Sequence, residues 1–243
     1  MGQMLHIGTS GWHYPHWENG VFYPPGLART SQLSFYAQHF KTVELNASFY
    51  HLPRPKTFEG WRQKTPDDFV FAVKASRYIS HVKRLRDCQE PWEKLSSAAK
   101  ELGEKLGLIL FQLPPSLEVS PRRLEAFLRL LPEEPRYSFE FRHASWLCDG
   151  VYDILRSQGV ALCIPDSPGM PKSLEVTAPF VYVRMHGSAS PYGSKYTDEE
   201  LEQWAGRIKG FLKRGLEVYV YFNNDAYGYA LQNAEKLEQL LAD

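Results

Sequence analysis

A single α/β domain over residues 1–243, folded as a (β/α)8 TIM barrel, is what this sequence predicts, and three observations carry the prediction. Eight short apolar runs recur along the chain, and helix-like segments fill most of the gaps between them. Strands that alternate with helices in this way build a parallel sheet from βαβ units. The 243 residues suit a closed barrel of eight such units, which typically takes about 250. Nearly every run also ends in a polar or charged residue, and the C-terminal strand ends are where such barrels place their chemistry.

The elements follow in order. Leu5–Thr9 is the first strand, and an aromatic loop from Trp12 to Trp17 follows it. Thr30 or Ser31 caps a helix through His39, with Leu33, Tyr36, Ala37 and Phe40 at helical spacing. Thr42–Asn46 and Phe69–Ser76 are the second and third strands. Pro91 opens a long helix to about Leu106, and Leu108–Leu113 is the fourth strand. Ser120 before Pro121 is a cap followed by a favoured first-turn residue, and it predicts a helix over Arg122–Leu131 that Pro132 stops. Tyr137–Arg142 and Ala161–Asp166 are the fifth and sixth strands. Pro168, Gly169, Pro171 and Pro179 then break the chain too often for a full helix, so the sixth helix is expected to be reduced or missing. After the seventh strand, Phe180–His186, Thr197 and Glu200 form a capping box in which each satisfies the other's free backbone donor. That helix runs to about Arg214, with Gly215 as its stop. Glu217–Asn223 is the eighth strand, and a helix over Ala230–Ala242 closes the barrel. No internal repeat or linker interrupts the alternation.

Composition narrows the function classes. A hydrophobic content of 43% supplies a core without any tail-like stretch. With 28 basic and 28 acidic residues the chain has no global attraction for nucleic acid or an anionic membrane, so a polyanion partner is open only through a local patch. Cys88, Cys148 and Cys163 show neither CxxC spacing nor even number, which reads as unpaired thiols in a reducing compartment. No basic-then-apolar leader is visible, and no apolar run approaches the ~20 residues of a membrane span. A soluble cytoplasmic protein is the expectation. The oligomeric state has no signature in the chain.

Alternation along the strands singles out the candidate site. In Phe139-Glu-Phe-Arg142 the phenylalanines point one way, Glu140 and Arg142 the other. Glu44 and Asn46, Lys74 and Ser76, and Arg184 and His186 stand in the same relation to their apolar neighbours. With the apolar set packed under the helices, the polar set faces inward near the barrel mouth. The strand ends collected there are Glu44, Asn46, Lys74, Gln112, Glu140, Arg142, Asp166, Arg184, His186 and Asn223. Burying several charges costs several kcal/mol per ion unless each is paired or solvated. Two readings follow, an ion-pair plug that fills the barrel or a polar pocket, and the number of converging groups favours the pocket. Trp12 and Tyr50 stand among the aromatic residues of the loops above, where rings can stack on sugars or bases. The segment 187–196, with Gly187 and Gly193, has the makings of a lid or of an ordinary surface loop. The basic stretch Arg77–Arg86 has the charge to grip phosphate or to form a solvated face. Gly8-x-x-Gly11 is too sparse for a phosphate-binding loop.

Taken together these blocks resemble a known family. Ile7-Gly-Thr-Ser-Gly-Trp12, Val43-Glu-Leu-Asn46 with Ser48-Phe-Tyr50, Phe71-Ala-Val-Lys-Ala-Ser76, Phe111-Gln-Leu-Pro114, Phe139-Glu-Phe-Arg-His143 with Trp146, Tyr182-Val-Arg-Met-His-Gly187 and Tyr221-Phe-Asn-Asn-Asp225 are similar to the YecE-like domain of unknown function. The resemblance implies a TIM barrel related at fold level to the xylose-isomerase and endonuclease-IV-like barrels, and it implies no reaction. It carries Asn224 into the candidate set beside Asn223, and it covers Glu44, Asn46, Lys74, Gln112, Glu140, Arg142, Arg184 and His186 without departure.

The reading these residues favour is an enzyme acting on a small anionic ligand, sugar- or nucleotide-like, with no cofactor. Lys74, Arg142 and Arg184 would bind its phosphate or carboxylate. Glu44 or Glu140 would be the general base or acid, their pKa values pulled apart by the cations, and His186 a second proton carrier. The alternative is a metal-assisted phosphodiester hydrolase on nucleic acid, with Glu44, Glu140, Asp166 and His186 as divalent-metal ligands and His13 and His81 joining from loops. Nearby cations oppose such a site. A metabolite-binding protein without catalysis would use the same pocket, and a retaining glycosidase would need two carboxyl groups about 5 Å apart.

Overall fold

The computed structural model describes residues 4–242. Eight parallel strands close in sequence order into a barrel: β1 (Leu5–Thr9), β2 (Thr42–Leu45), β3 (Val70–Lys74), β4 (Leu106–Gln112), β5 (Arg136–Glu140), β6 (Ala161–Asp166), β7 (Phe180–Met185) and β8 (Glu217–Phe222). The seam between β1 and β8 is paired from Leu5 opposite Val218 to Thr9 opposite Phe222. The helices are α1 (Gln32–His39), the single turn α2 (Ala47–Tyr50), α3 (Pro55–Gln63), α4 (Gln89–Ala99), α5 (Pro121–Leu128), α6 (Asp149–Ser157), α7 (Asp198–Lys213) and α8 (Tyr229–Ala242). Each long helix turns an apolar stripe onto the strands. On α7 the stripe is Leu201, Trp204, Ala205, Ile208 and Phe211, all buried. None of the described helices is long and apolar enough to cross a membrane.

The capping box of Thr197 and Glu200 is formed, and α7 ends where Gly215 stops it. No helix lies between β6 and β7, where the prolines cluster. Most strand ends move by one or two residues, and three helix boundaries differ from the sequence reading by more than one. The helix expected from Pro91 begins at Gln89 and gives way at Ala99 to a 3-10 stretch over Lys100–Lys105, which is kinked at Gly103 (φ 57°, ψ −135°). The Ser120 side chain does not cap α5, which ends at Leu128 rather than Leu131. Helices α3 and α6 were not individually foreseen; α3 starts on Pro55 and α6 on Asp149, both favoured in a first turn.

Inside the barrel the alternation stacks side chains in tiers. The middle is apolar, built by Ala72, Leu110, Cys163, Tyr182 and Tyr221 with Leu108, Ala161 and Phe180 toward the N-terminal end. Gly8 lies in this wall because a Cβ there would sit 2.3 Å from the Thr42 carbonyl oxygen. At the N-terminal end Glu217 accepts from His6 at 2.8 Å, from Tyr219 at 2.7 Å and from Arg136. The opposite end carries the polar tier.

Candidate active site

Three strand-end residues form the floor of this tier, and none has exposed side-chain surface. Arg184 donates from Nε and Nη2 to Glu44, at 2.8 and 2.7 Å, and from Nη1 to Glu140 at 2.6 Å. Glu44 also accepts from Ser10 at 2.8 Å and from Tyr182 at 2.6 Å. Gln112 accepts from Arg184 at 3.3 Å, and the Cys163 thiol lies 3.8 Å from Glu140. Burial alone would raise both carboxyl groups. For Glu44 the opposing charge and hydrogen bonds of Arg184, helped by Lys74 and Tyr182, outweigh it and bring the pKa below the ordinary range. For Glu140 the charges of Arg184 and Arg142, with His186, hold it well below. Both glutamates are therefore ionised at neutral pH, and neither is held protonated as a general acid would be.

Above the floor the groups are less constrained. Arg142 donates through Nε to Glu140, and its Nη2 lies 3.3 Å from Nε2 of His186. The Asn223 amide is 3.2 Å from Nδ1 of the same ring. Burial drives His186 down to about 4 against the pull of Glu140, so the imidazole is neutral and accepts from Arg142. Lys74 is different in kind. Its Nζ makes no ion pair and no hydrogen bond among the described residues, and it stands 4.0 Å over the ring of Phe49. The Ser48 hydroxyl donates to the Lys74 carbonyl at 2.6 Å and so pins the α2 turn, with Phe49, against the end of β3. Burial first, then the charge of Arg184, brings Lys74 down to about 7; Glu44 and Glu140 oppose the shift and Arg142 adds to it. The basic loop reaches the same region. His81 packs edge-on against Phe49 at 5.2 Å, and burial followed by the charges of Arg77, Lys74, Arg142 and Arg84 brings it to about 4.

The family model described as "Protein of unknown function DUF72" matches residues 6–243. The chain belongs to the DUF72 family. It is 28% identical to the UPF0759 protein YunF of Bacillus subtilis, over 98% of this chain and 95% of that one. It is 34% identical to the UPF0759 protein YecE of Escherichia coli, over 65% of this chain and 55% of that protein. The crystal structure of a DUF72 protein from Thermotoga maritima superposes with a TM-score of 0.88 at 31% identity, over 99% of this chain and all of the other. One from Enterococcus faecalis gives 0.85 at 19% identity, covering 99% and 96%, a likeness of fold.

Not every candidate joins the cluster in this DUF72 barrel. Asp166 leaves the barrel on the outer side, where it accepts from Lys172 at 2.6 Å and from Trp204 of α7 at 2.9 Å. Asn224 is buried and structural; it donates at 2.9 Å to both the Ser194 carbonyl and Asn233 of α8. Arg184 is spent on the two glutamates and is not free to bind a ligand. Asn46 is half-buried at the end of β2, Trp12 packs edge-on against Trp61 of α3 at 5.4 Å, and Tyr50 stands exposed on the rim. With Glu44 and Glu140 saturated by arginine and Asp166 turned away, the four ligands expected for a divalent metal do not converge. Among the described residues no group of three or more His, Cys, Asp or Glu is arranged to hold a metal.

Sequence reasoning missed Ser10, Tyr182 and Cys163, which share the inward parity of the charged residues, and the pair of Asp225 with His16. There His16 lies 2.7 Å from Asp225, and the Trp17 indole donates to it at 2.7 Å. The segment 187–196 closes on itself through Ser194, which accepts from the amides of Ala189 and Ser190. It sets the Tyr192 ring edge-on to His186 at 5.3 Å.

Proposed function

We propose that the mouth of this barrel is the active site of an enzyme that moves protons on a small anionic substrate, with Lys74 as the group that titrates near neutrality. The observation that carries the reading is Lys74 itself, a buried amine with no ionic partner and a pKa of about 7, in a site crowded with cations. Enzymes lower lysine pKa values by burial and like charge to place a proton carrier near working pH. The roles first given to the glutamates pass to it: Glu44 and Glu140 supply fixed negative charge, not proton transfer. Arg142, part-exposed beside His186 and Tyr192, is the contact for a phosphate or carboxylate. Neutral His186, fully buried and engaged at both ring nitrogens, orients Arg142.

A thermal-shift panel of phosphosugars, nucleotides, organic acids and short oligonucleotides, each with and without manganese, tests this. A ligand at ~100 times its Kd adds about 2.7 kcal/mol, and each kcal/mol moves the midpoint by roughly 2–4 °C at this size. The expected result is a manganese-independent shift by a small anion that falls by about half or more in Arg142→Ala. A shift that needs both manganese and an oligonucleotide would replace this reading with the phosphodiesterase one.

A further inference from the structure

An amine of this kind can do more than carry a proton. Resting on the anion-binding reading of the mouth, we infer that Lys74 is a nucleophile that forms an imine with its substrate, so that the substrate is a small aldehyde or ketone bearing a carboxylate or phosphate. Four features of the site point there. The Nζ of Lys74 is at the C-terminal end of β3, where barrel chemistry is located. Among the described residues it has no carboxylate in ion-pair range to hold it protonated and no hydroxyl to donate to its lone pair, only the face of Phe49. It is desolvated and lies in the field of two arginines, the two conditions that activate a lysine toward carbonyl carbon. Finally, Glu44 and Glu140 are held ionised within its field, and their charge favours a cation on that nitrogen. The groups that oppose it are Arg184 and Arg142, with His81 neutral nearby.

The step balances without oxidant or reductant. The neutral amine attacks the carbonyl carbon, a C–N bond forms, and the carbonyl π pair moves to oxygen, which takes one of the amine protons. The resulting hydroxyl leaves with the second amine proton as water, the C–O bond breaks and a C=N bond remains. Protonated, that nitrogen becomes an iminium ion, and Glu44 and Glu140 stabilise its positive charge. Arg142 would hold the anionic end, which explains a site that keeps one arginine accessible while burying another.

The test is reductive trapping. The full chain is incubated at pH 7 with pyruvate or with dihydroxyacetone phosphate, treated with borohydride, and analysed by intact mass and peptide mapping. The imine predicts one adduct of the carbonyl compound less one oxygen, on Lys74, formed at least about tenfold faster than on an average exposed lysine, whose amine is almost wholly protonated at that pH. Which of the two compounds labels separates a carboxylate substrate from a phosphate one. Adducts spread over surface lysines with Lys74 unmodified would overturn the proposal, and this wild-type map decides the matter even if Lys74→Arg does not fold. Phosphoglycolate and malonate, anions without a reactive carbonyl, are run in parallel by thermal shift. If they bind and nothing is trapped on Lys74, the imine fails and the anion site stands. If Lys74 is trapped and they do not bind, the imine stands and the anion site fails.

Discussion

Arg184 grips Glu44 through two parallel hydrogen bonds, Nε to Oε2 at 2.8 Å and Nη2 to Oε1 at 2.7 Å, with no exposed surface on either side chain. Its third nitrogen holds Glu140. Removing one member of such a group leaves a buried charge unpaired, at about 3–5 kcal/mol, whereas replacing all members by apolar or neutral groups is often neutral or stabilising. Arg184→Met should therefore lose at least 3 kcal/mol in urea denaturation, and Arg184→Met with Glu44→Gln and Glu140→Gln should recover most of it. Should the single variant lose under about 1 kcal/mol, the charges would have to reach water by a route the barrel does not show. The sign with pH follows. Both carboxyl groups have folded pKa values below their unfolded ones, so the stability they contribute is complete above the unfolded value near 4.3 and is lost as pH falls through the folded values.

Lys74 carries the opposite linkage. Its folded pKa of about 7 is far under the ~10.4 of an unfolded lysine, so between those values the unfolded chain holds a proton that the folded chain has released. Its contribution is most unfavourable below pH 7 and improves as pH rises to about 10.4. At about 1.36 kcal/mol per pKa unit the cost near pH 7 is on the order of 4 kcal/mol, and the cation–π contact with Phe49 returns about 1–2. Lys74→Met should thus be stabilising by roughly 2 kcal/mol at pH 7, with the gain shrinking toward pH 10. Chemical denaturation of both proteins across that range checks it, and a variant less stable than the wild type at pH 7 would mean that Lys74 has an ionic partner in solution.

The same alternation that exposed most of the site in the sequence also contained the corrections. Lys74, Glu140, Arg142, Arg184 and His186 share the parity of interior residues, and the structure puts all five in the barrel. Asp166 has the parity of Leu162 and Ile164, which pack outward, and Asn224 that of Val220 and Phe222; reading each by its strand rather than by its position at the strand end would have set both aside. What parity does not reveal is pairing. Which glutamate Arg184 takes, and that Lys74 is left without one, depends on the angular order of strands around a closed barrel and on the reach of an arginine across its axis. The missing sixth helix was legible because proline and glycine act locally, whereas α6 was harder to see because only one face of a short segment is buried.

Asn223 and Asn224 are adjacent, and their replacement should separate cleanly. Asn224→Ala removes two buried donors from the Ser194 carbonyl and Asn233, and loosens the join between the 187–196 loop and α8; a loss of about 1–3 kcal/mol is expected. Asn223→Ala costs under about 1 kcal/mol, because the residue is part-exposed, but frees the imidazole of His186 to turn. Thermal melts of the two variants, with the anion-induced shift measured on each, should show a lowered midpoint for the first and a weakened shift for the second. Equal midpoints would remove the assignment of Asn224 to the scaffold.

Arg142 links the floor to the ligand, so its loss should be felt in two independent readouts. Arg142→Ala leaves Glu140 paired with Arg184, and the barrel stays folded. A hydrogen bond to a charged group is worth about 1.5–3 kcal/mol, so anion affinity should fall by roughly 10–100-fold. The second readout is Lys74. Arg142 is one of the charges that depress its pKa, while Glu44 and Glu140 remain to raise it. Without the arginine the amine should titrate above its present value of about 7 and become less reactive at neutral pH. Competitive acetylation followed peptide by peptide across pH 6–10 measures that midpoint directly. An upward move with weakened anion binding fits one site containing both groups; an unmoved Lys74 midpoint would mean that the arginine and the lysine act in separate fields, and the proposed arrangement of charge at the mouth would be wrong.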